Sequence, residues 1–140
     1  MQQTLVTTTQ ADSKAFLRNT LLANATFSAL CGLLGLFDAR GVDHFLGLGM
    51  PSVVLLLGIG LLFFAGVLLW VATRPQIQRG VVQLIAAVDI GWVVGSALLL
   101  WSQFVAFSNG GWWAVAIIAD IIAFFALLEV IGLRKLESAK

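Results

Sequence analysis

The sequence predicts an all-α membrane protein: a four-helix transmembrane bundle built as a tandem repeat of two helical hairpins. Three observations carry this reading. Of 140 residues, 60% are hydrophobic and only 11% are charged, against about 25% charged in an ordinary soluble domain. Such a chain lacks the polar surface to face water on all sides. Apolar runs of about 20 residues, enough to cross a bilayer, occur four times. Finally, the two halves of the chain resemble each other at matched positions.

The first span is expected at about Phe16–Phe37, the second at Ser52–Thr73 with Pro51 at its start, the third at Gly80–Phe104 and the fourth at Trp112–Leu133. Proline suits a helix start because its missing N–H would be unpaired there anyway. The opening "MQQTLVTTTQADSK" is polar. Its composition offers little to bury, so residues 1–14 are expected as a loose tail and 15–140 as one transmembrane domain. Lys14 and Arg18 precede an apolar run that continues to Phe37. That is too long for a signal-peptide core, and an uncleaved first span is expected. The connection "DARGVDHFLGLGMP" is expected to lie on the membrane surface as a short amphipathic turn. His44 falls in it and reads as a solvated loop histidine.

Orientation follows from Lys and Arg. Lys14, Arg18, Arg74, Arg79, Arg134, Lys135 and Lys140 flank one side of the four spans, and Arg40 alone flanks the other. Seven against one places both termini in the cytoplasm, by the positive-inside rule. Trp101, Trp112 and Trp113 fit an outer aromatic belt, and Trp70 an inner one.

The repeat is read from "FFAGVLLWVATR", Phe63–Arg74, and "FFALLEVIGLRK", Phe124–Lys135, at an offset of 61 residues. The first and third spans align at an offset of 65, pairing Asn24 with Asp89, Phe27 with Trp92 and Cys31 with Ser96. Each hairpin crosses the membrane twice, so the implied symmetry axis runs along the membrane normal.

Polar residues inside the spans are the candidate functional residues. Positions i, i+3, i+7 and i+14 share a helical face. From Asp89 these are Trp92, Ser96 and Gln103. In the first span the matching stripe is Thr20, Asn24, Ser28, Cys31 and Gly35. These stripes are expected to meet, with Asn24, Ser28, Trp92, Ser96 and Asp89 lining a polar cavity that binds a proton or ligand.

The fourth span carries Asp120 and Glu129, nine residues apart and therefore on opposite sides of the helix. Asp120 is expected to face the bundle or a neighbouring subunit and joins the candidate set. Glu129, five residues before Arg134, is expected to snorkel toward the cytoplasmic interface or to pair there. A charged acid at the bilayer centre costs about 2.5–3.5 kcal/mol on insertion scales. Asp89 and Asp120 are therefore expected to be protonated unless they bind a cation. Gly58, Ala65 and Ala72, and Ala116, Ala119, Ala123 and Ala126, are small-residue seams for helix packing.

No motif points to soluble-type chemistry. The chain has one cysteine and one histidine. It has no phosphate-binding glycine loop, no HExxH and no GxSxG with a partner histidine. No catalytic residue, metal site or cofactor is expected. With a net charge of +1 and no basic run, nucleic acid is not an expected partner.

The segments "LLANATFSALCGLLGLF", "AAVDIGWVVGSALLL" and "FFALLEVIGLRK" resemble those of small four-span bacterial integral membrane proteins. The topology is similar to that of DoxX-like four-helix proteins, as an analogy of architecture. The resemblance implies residence in a bacterial inner membrane and carries no catalytic assignment. Three functions stay open from the sequence. The favoured one is a non-enzymatic protein that self-associates or serves as an accessory subunit of a membrane complex, with a polar cavity around Asp89. Another is a small transporter or channel for protons, cations or a small polar substrate that uses Asp89. The third is a binder of a lipid, quinone or amphipathic amine. The expected partners are the lipid bilayer, further copies of the chain or a larger membrane complex, and a small hydrophobic ligand.

Overall fold

A computed structural model describes the backbone of residues 2–138 and the side chains of residues 7–138. Met1 and Lys140, the latter part of the basic C-terminal flank, lie outside the described residues. The described chain is a helical bundle of α1 (Gln2–Phe37), α2 (Ala39–Leu46), α3 (Pro51–Thr73), α4 (Arg79–Ser102) and α5 (Asn109–Ser138). Four of them, all but α2, are long and apolar enough to cross a membrane. The chain is an integral membrane protein by the length and composition of these helices.

Helix α1 departs from the expected loose tail. It is helical from Gln2 and has 36 residues, about 54 Å at the usual rise. No glycine or proline interrupts it before Gly32, and from Ser13 onward it gains a packing partner. Ser13 and Leu17 are buried, and Leu17 fits against Gly132 of α5, where an added Cβ would lie 2.9 Å from Leu17 Cδ1. The bundle end that carries both termini is thus extended by α1 and α5 side by side.

The first connection is an eight-residue helix rather than a turn. Asp38 caps its start by accepting from Gly41 N–H at 3.1 Å, and Gly47 ends it in the left-handed region at φ 79°. Asp43, 7% exposed, accepts from Met50 N–H at 2.8 Å and fixes the entry to α3. Ser108 N–H donates to Leu46 O at 2.9 Å, and Ser108 Oγ donates to Phe45 O. These bonds dock α2 onto the start of α5. His44 is exposed on α2.

Helix α1 packs against both α3 and α5, and α4 packs against α5. The consecutive helices α3 and α4 touch only sparsely, and the α1 and α4 backbones do not approach closely. The α1–α3 crossing is tight because it is made of glycine: a Cβ on Gly58 would lie 2.9 Å from Gly32 O and from Gly35 C. Only residues without side chains let two backbones approach this far. The apolar core lies toward the end with the termini, around Leu17, Leu21, Leu68, Val71, Val82, Ile85 and Leu133.

Burial follows the two sequence offsets. Leu17, Thr20, Leu21 and Asn24 of α1 are buried, as are Val82, Ile85, Ala86 and Asp89, each 65 positions later in α4. Gly58, Ala65, Leu68, Val71 and Ala72 of α3 are buried, as are Ala119, Ala126, Glu129, Gly132 and Leu133, each 61 positions later in α5.

Candidate functional site: a buried amide between two carboxylates

One side chain joins three helices. Asn24 Nδ2 of α1 donates to Asp89 Oδ2 of α4 at 2.7 Å and to Glu129 Oε1 of α5 at 3.0 Å. Ser28 Oγ, one turn along α1, donates to Asn24 Oδ1 at 3.3 Å. Both amide protons and the amide oxygen of Asn24 are thereby used. Exposure is 1% for Asn24, 3% for Asp89 and 0% for Glu129. Helical rise places the three residues about 8–15 Å inside the basic flank, measured from Arg18, Arg79 and Arg134 along their own helices.

The local folding logic is the helical period. Asn24 lies on the stripe of Leu17, Leu21 and Ser28. Asp89 lies on that of Val82, Ile85, Ala86 and Ser96. Glu129 lies on that of Ile122, Ala126, Leu133 and Leu136. Each polar residue replaces an apolar one on an otherwise inward-facing stripe, so packing the stripes brings the three together.

The electrostatics are unusual for a bilayer interior. Two carboxylates accept from the same amide group, which sets their bound oxygens roughly 5 Å apart. Two full charges there would repel by about 3 kcal/mol at an effective dielectric near 20. No Lys or Arg lies within the described part of the cluster to offset them. Glu129 Oε2 is buried and has no hydrogen-bond partner among the described residues. A buried acceptor left open costs about 1–3 kcal/mol. The arrangement can accommodate one positive charge at low cost.

The expected pairing of the Asn24 and Asp89 stripes is present at these two residues. Ser28 reaches Asn24 rather than Asp89. Thr20 is buried but bonds back to Phe16 O of its own helix at 3.0 Å. Trp92 is half-buried. Ser96 is buried, two turns from Asp89, and makes no hydrogen bond to the cluster. Gln103 leaves the stripe: it ends α4 in the left-handed region at φ 51° and is exposed. Asp89 sits in a closed cluster rather than an open pocket. Two surface grooves, of about 490 Å³ and 280 Å³, are lined by none of the three cluster residues.

Glu129 departs from the place expected for it, and Asp120 does not take the bundle-facing one of its two expected places. Glu129 does not snorkel; it is the most buried acid in the molecule among the described residues. Asp120 does not face its own bundle; it is exposed. The phase of α5 decides this. Ala119, Ile122, Ala126, Leu133 and Leu136 turn inward, and Glu129 shares their face while Asp120 stands half a turn away. One signal in the sequence pointed this way: Glu129 aligns with Leu68 at the 61-residue offset, and Leu68 is also 0% exposed.

Comparisons of the chain with protein-family models, with curated proteins and with solved structures found no match.

Proposed function

We propose that this chain is a small integral membrane protein that binds a proton or a small cation at Asn24, Asp89 and Glu129 and moves it across the membrane. One observation carries the reading: two carboxylates share one amide in the membrane interior, and Glu129 Oε2 is left open beside them. Ionisable groups in spans are costly and mark ion or proton pathways by default. Holding one proton between the two acids removes their repulsion and leaves a net charge that one further proton or cation cancels.

The packing supplies a route to movement. Helix α4 carries Asp89, packs on α5, touches α3 only sparsely, and reaches α1 through the Asn24–Asp89 hydrogen bond. Protonation of Asp89 weakens that bond, because a neutral acid accepts less strongly than a carboxylate, and so loosens the least anchored span. The matched burial at the 65- and 61-residue offsets supports a two-hairpin repeat whose axis passes close to the cluster. In this reading both termini lie in the cytoplasm of a bacterial cell, on the strength of the Lys and Arg bias.

The test is flux in liposomes. Wild-type protein should dissipate an imposed gradient of protons, or of Na⁺ or K⁺. Asp89→Asn and Glu129→Gln should each abolish that flux while inserting normally. Wild-type flux no greater than that of protein-free liposomes under all three gradients overturns the proposal, as does full flux in the two variants.

A further inference from the structure

Asp120 is the second acid of α5 and takes no part in the cluster. It stands eight residues from Trp112, about 12 Å down the helix, and nine residues beyond the level of Glu129. Its side chain has a single methylene, too short to carry the carboxyl back to the interface as a lysine or arginine would. It is exposed, and its neighbours on the same side are apolar: Ile117, Phe124 and Leu127 are 55–57% exposed. Among the described residues it has no hydrogen-bond or ion-pair partner. Hydrocarbon gives a carboxyl group nothing to bond.

We propose that this face of α5 is the contact between two copies of the chain, with the two Asp120 carboxyls paired across a twofold axis along the membrane normal. Self-pairing follows from what the chain offers at that depth. Counting the same distance from the cluster along the other helices reaches Leu33 of α1, Ile59 of α3 and Leu98 of α4. The exposed side chains around those positions are apolar, so the polar complement at that level of a second copy is Asp120 itself. In a twofold contact a residue near the axis meets its own equivalent at the same depth. A carboxylic acid both donates and accepts, so two acids holding one proton satisfy each other.

The stripe around Asp120 suits a close pair of helices. Trp113, Ala116, Asp120, Ala123 and Leu127 recur at spacings of three and four, the rhythm of paired helices. Ala116 and Ala123 flank the acid and are only half-buried in the single chain. Small residues there let two backbones approach far enough for a short side chain to bridge. The proposal concerns a different face from the ion-binding reading and stands apart from it.

Cysteine cross-linking in lipid vesicles tests it. Cys31→Ser removes the one native cysteine, and single cysteines are then placed at Ala116, at Ala123 and, as a control, at exposed Ile59 of α3. Oxidation should trap dimers through Ala116→Cys and Ala123→Cys, at least tenfold faster than through Ile59→Cys. Subunit counting by single-molecule photobleaching should show dimers for the wild-type chain. Asp120→Leu should shift the association at least tenfold toward monomer, and Asp120→Asn, which still donates and accepts, should keep most of it. Equal trapping at all three positions, a monomeric wild-type chain in pure lipid, or unchanged dimerisation in Asp120→Leu would each overturn the proposal.

Discussion

Glu129 and Asp120 lie nine residues apart on one helix and meet opposite surroundings. Glu129 is 0% exposed and tied to Asn24; Asp120 is exposed and faces apolar neighbours. Both have the same carboxyl chemistry and both sit in a span. The difference shows that position along a transmembrane helix says little about an acid's environment. Angular phase decides it, because half a turn separates the closed interior from the lipid-facing surface. The acid inside finds a hydrogen-bond donor in its own chain, and the acid outside finds none among the described residues.

The strongest way to break this contrast is to remove the amide that makes the interior hospitable. Asn24→Leu leaves Asp89 and Glu129 without their shared donor, and each orphaned buried group costs about 1–3 kcal/mol. A loss of roughly 2–4 kcal/mol is expected in reversible unfolding from lipid–detergent micelles. Stability equal to wild type would show that the acids find other partners. Gly132→Val tests the wall that seats Glu129. The new side chain meets Leu17, and its Cβ alone would stand 2.9 Å from Leu17 Cδ1. Overpacking of this kind costs about 1–3 kcal/mol, and it should lengthen the Asn24–Glu129 contact. The measurement is the same unfolding series, joined to a structure of the variant.

Glu129→Gln should cost less, within about 1 kcal/mol, because the amide oxygen still accepts from Asn24 while the second carboxyl charge disappears. Its loss of function in flux against near-normal unfolding is the pairing to look for. A fall of several kcal/mol would mean that Glu129 serves chiefly to hold the bundle. The smallest effect is expected at the surface. Arg79 Nη1 lies 3.3 Å from Glu137 Oε1, with both side chains substantially exposed. Such pairs contribute about 0–1 kcal/mol, so Arg79→Ala should unfold within that margin of wild type. A larger change would place that ion pair on the scale of the buried cluster.

The two hairpins add a second contrast. The 65- and 61-residue offsets match Asn24 with Asp89 and Leu68 with Glu129. All four are buried to 3% exposure or less. The first hairpin contributes an amide and a leucine; the second contributes both acids. Both acids of the cluster therefore fall on the second hairpin, and the packing is uneven too, with α1 held closely on α5 and α3 only loosely on α4.

Four spans, their order and the Asn24–Asp89 pairing were legible in the sequence. Span number follows from apolar run length against bilayer thickness, and both are one-dimensional quantities. The pairing was legible because an amide and an acid are the rare polar residues on two otherwise apolar stripes. The glycine and alanine positions Gly58, Ala65 and Ala72 likewise marked a packing face, and all three are buried.

The tertiary structure alone decided which side of α5 faces inward. In a soluble protein the polar face of a helix marks the outside. In a span, lipid is as apolar as the core, so α5 is apolar on nearly every side and the pattern gives no phase. That is why Glu129 looked like a residue bound for the interface, and Asp120 like one bound for either the bundle or a neighbouring subunit. Packing of Gly132 on Leu17 and of Asn24 between two acids settled the phase instead. The packing of α1 beyond its apolar run was settled there too, where Ser13 and Leu17 are buried and Leu17 meets Gly132 of α5.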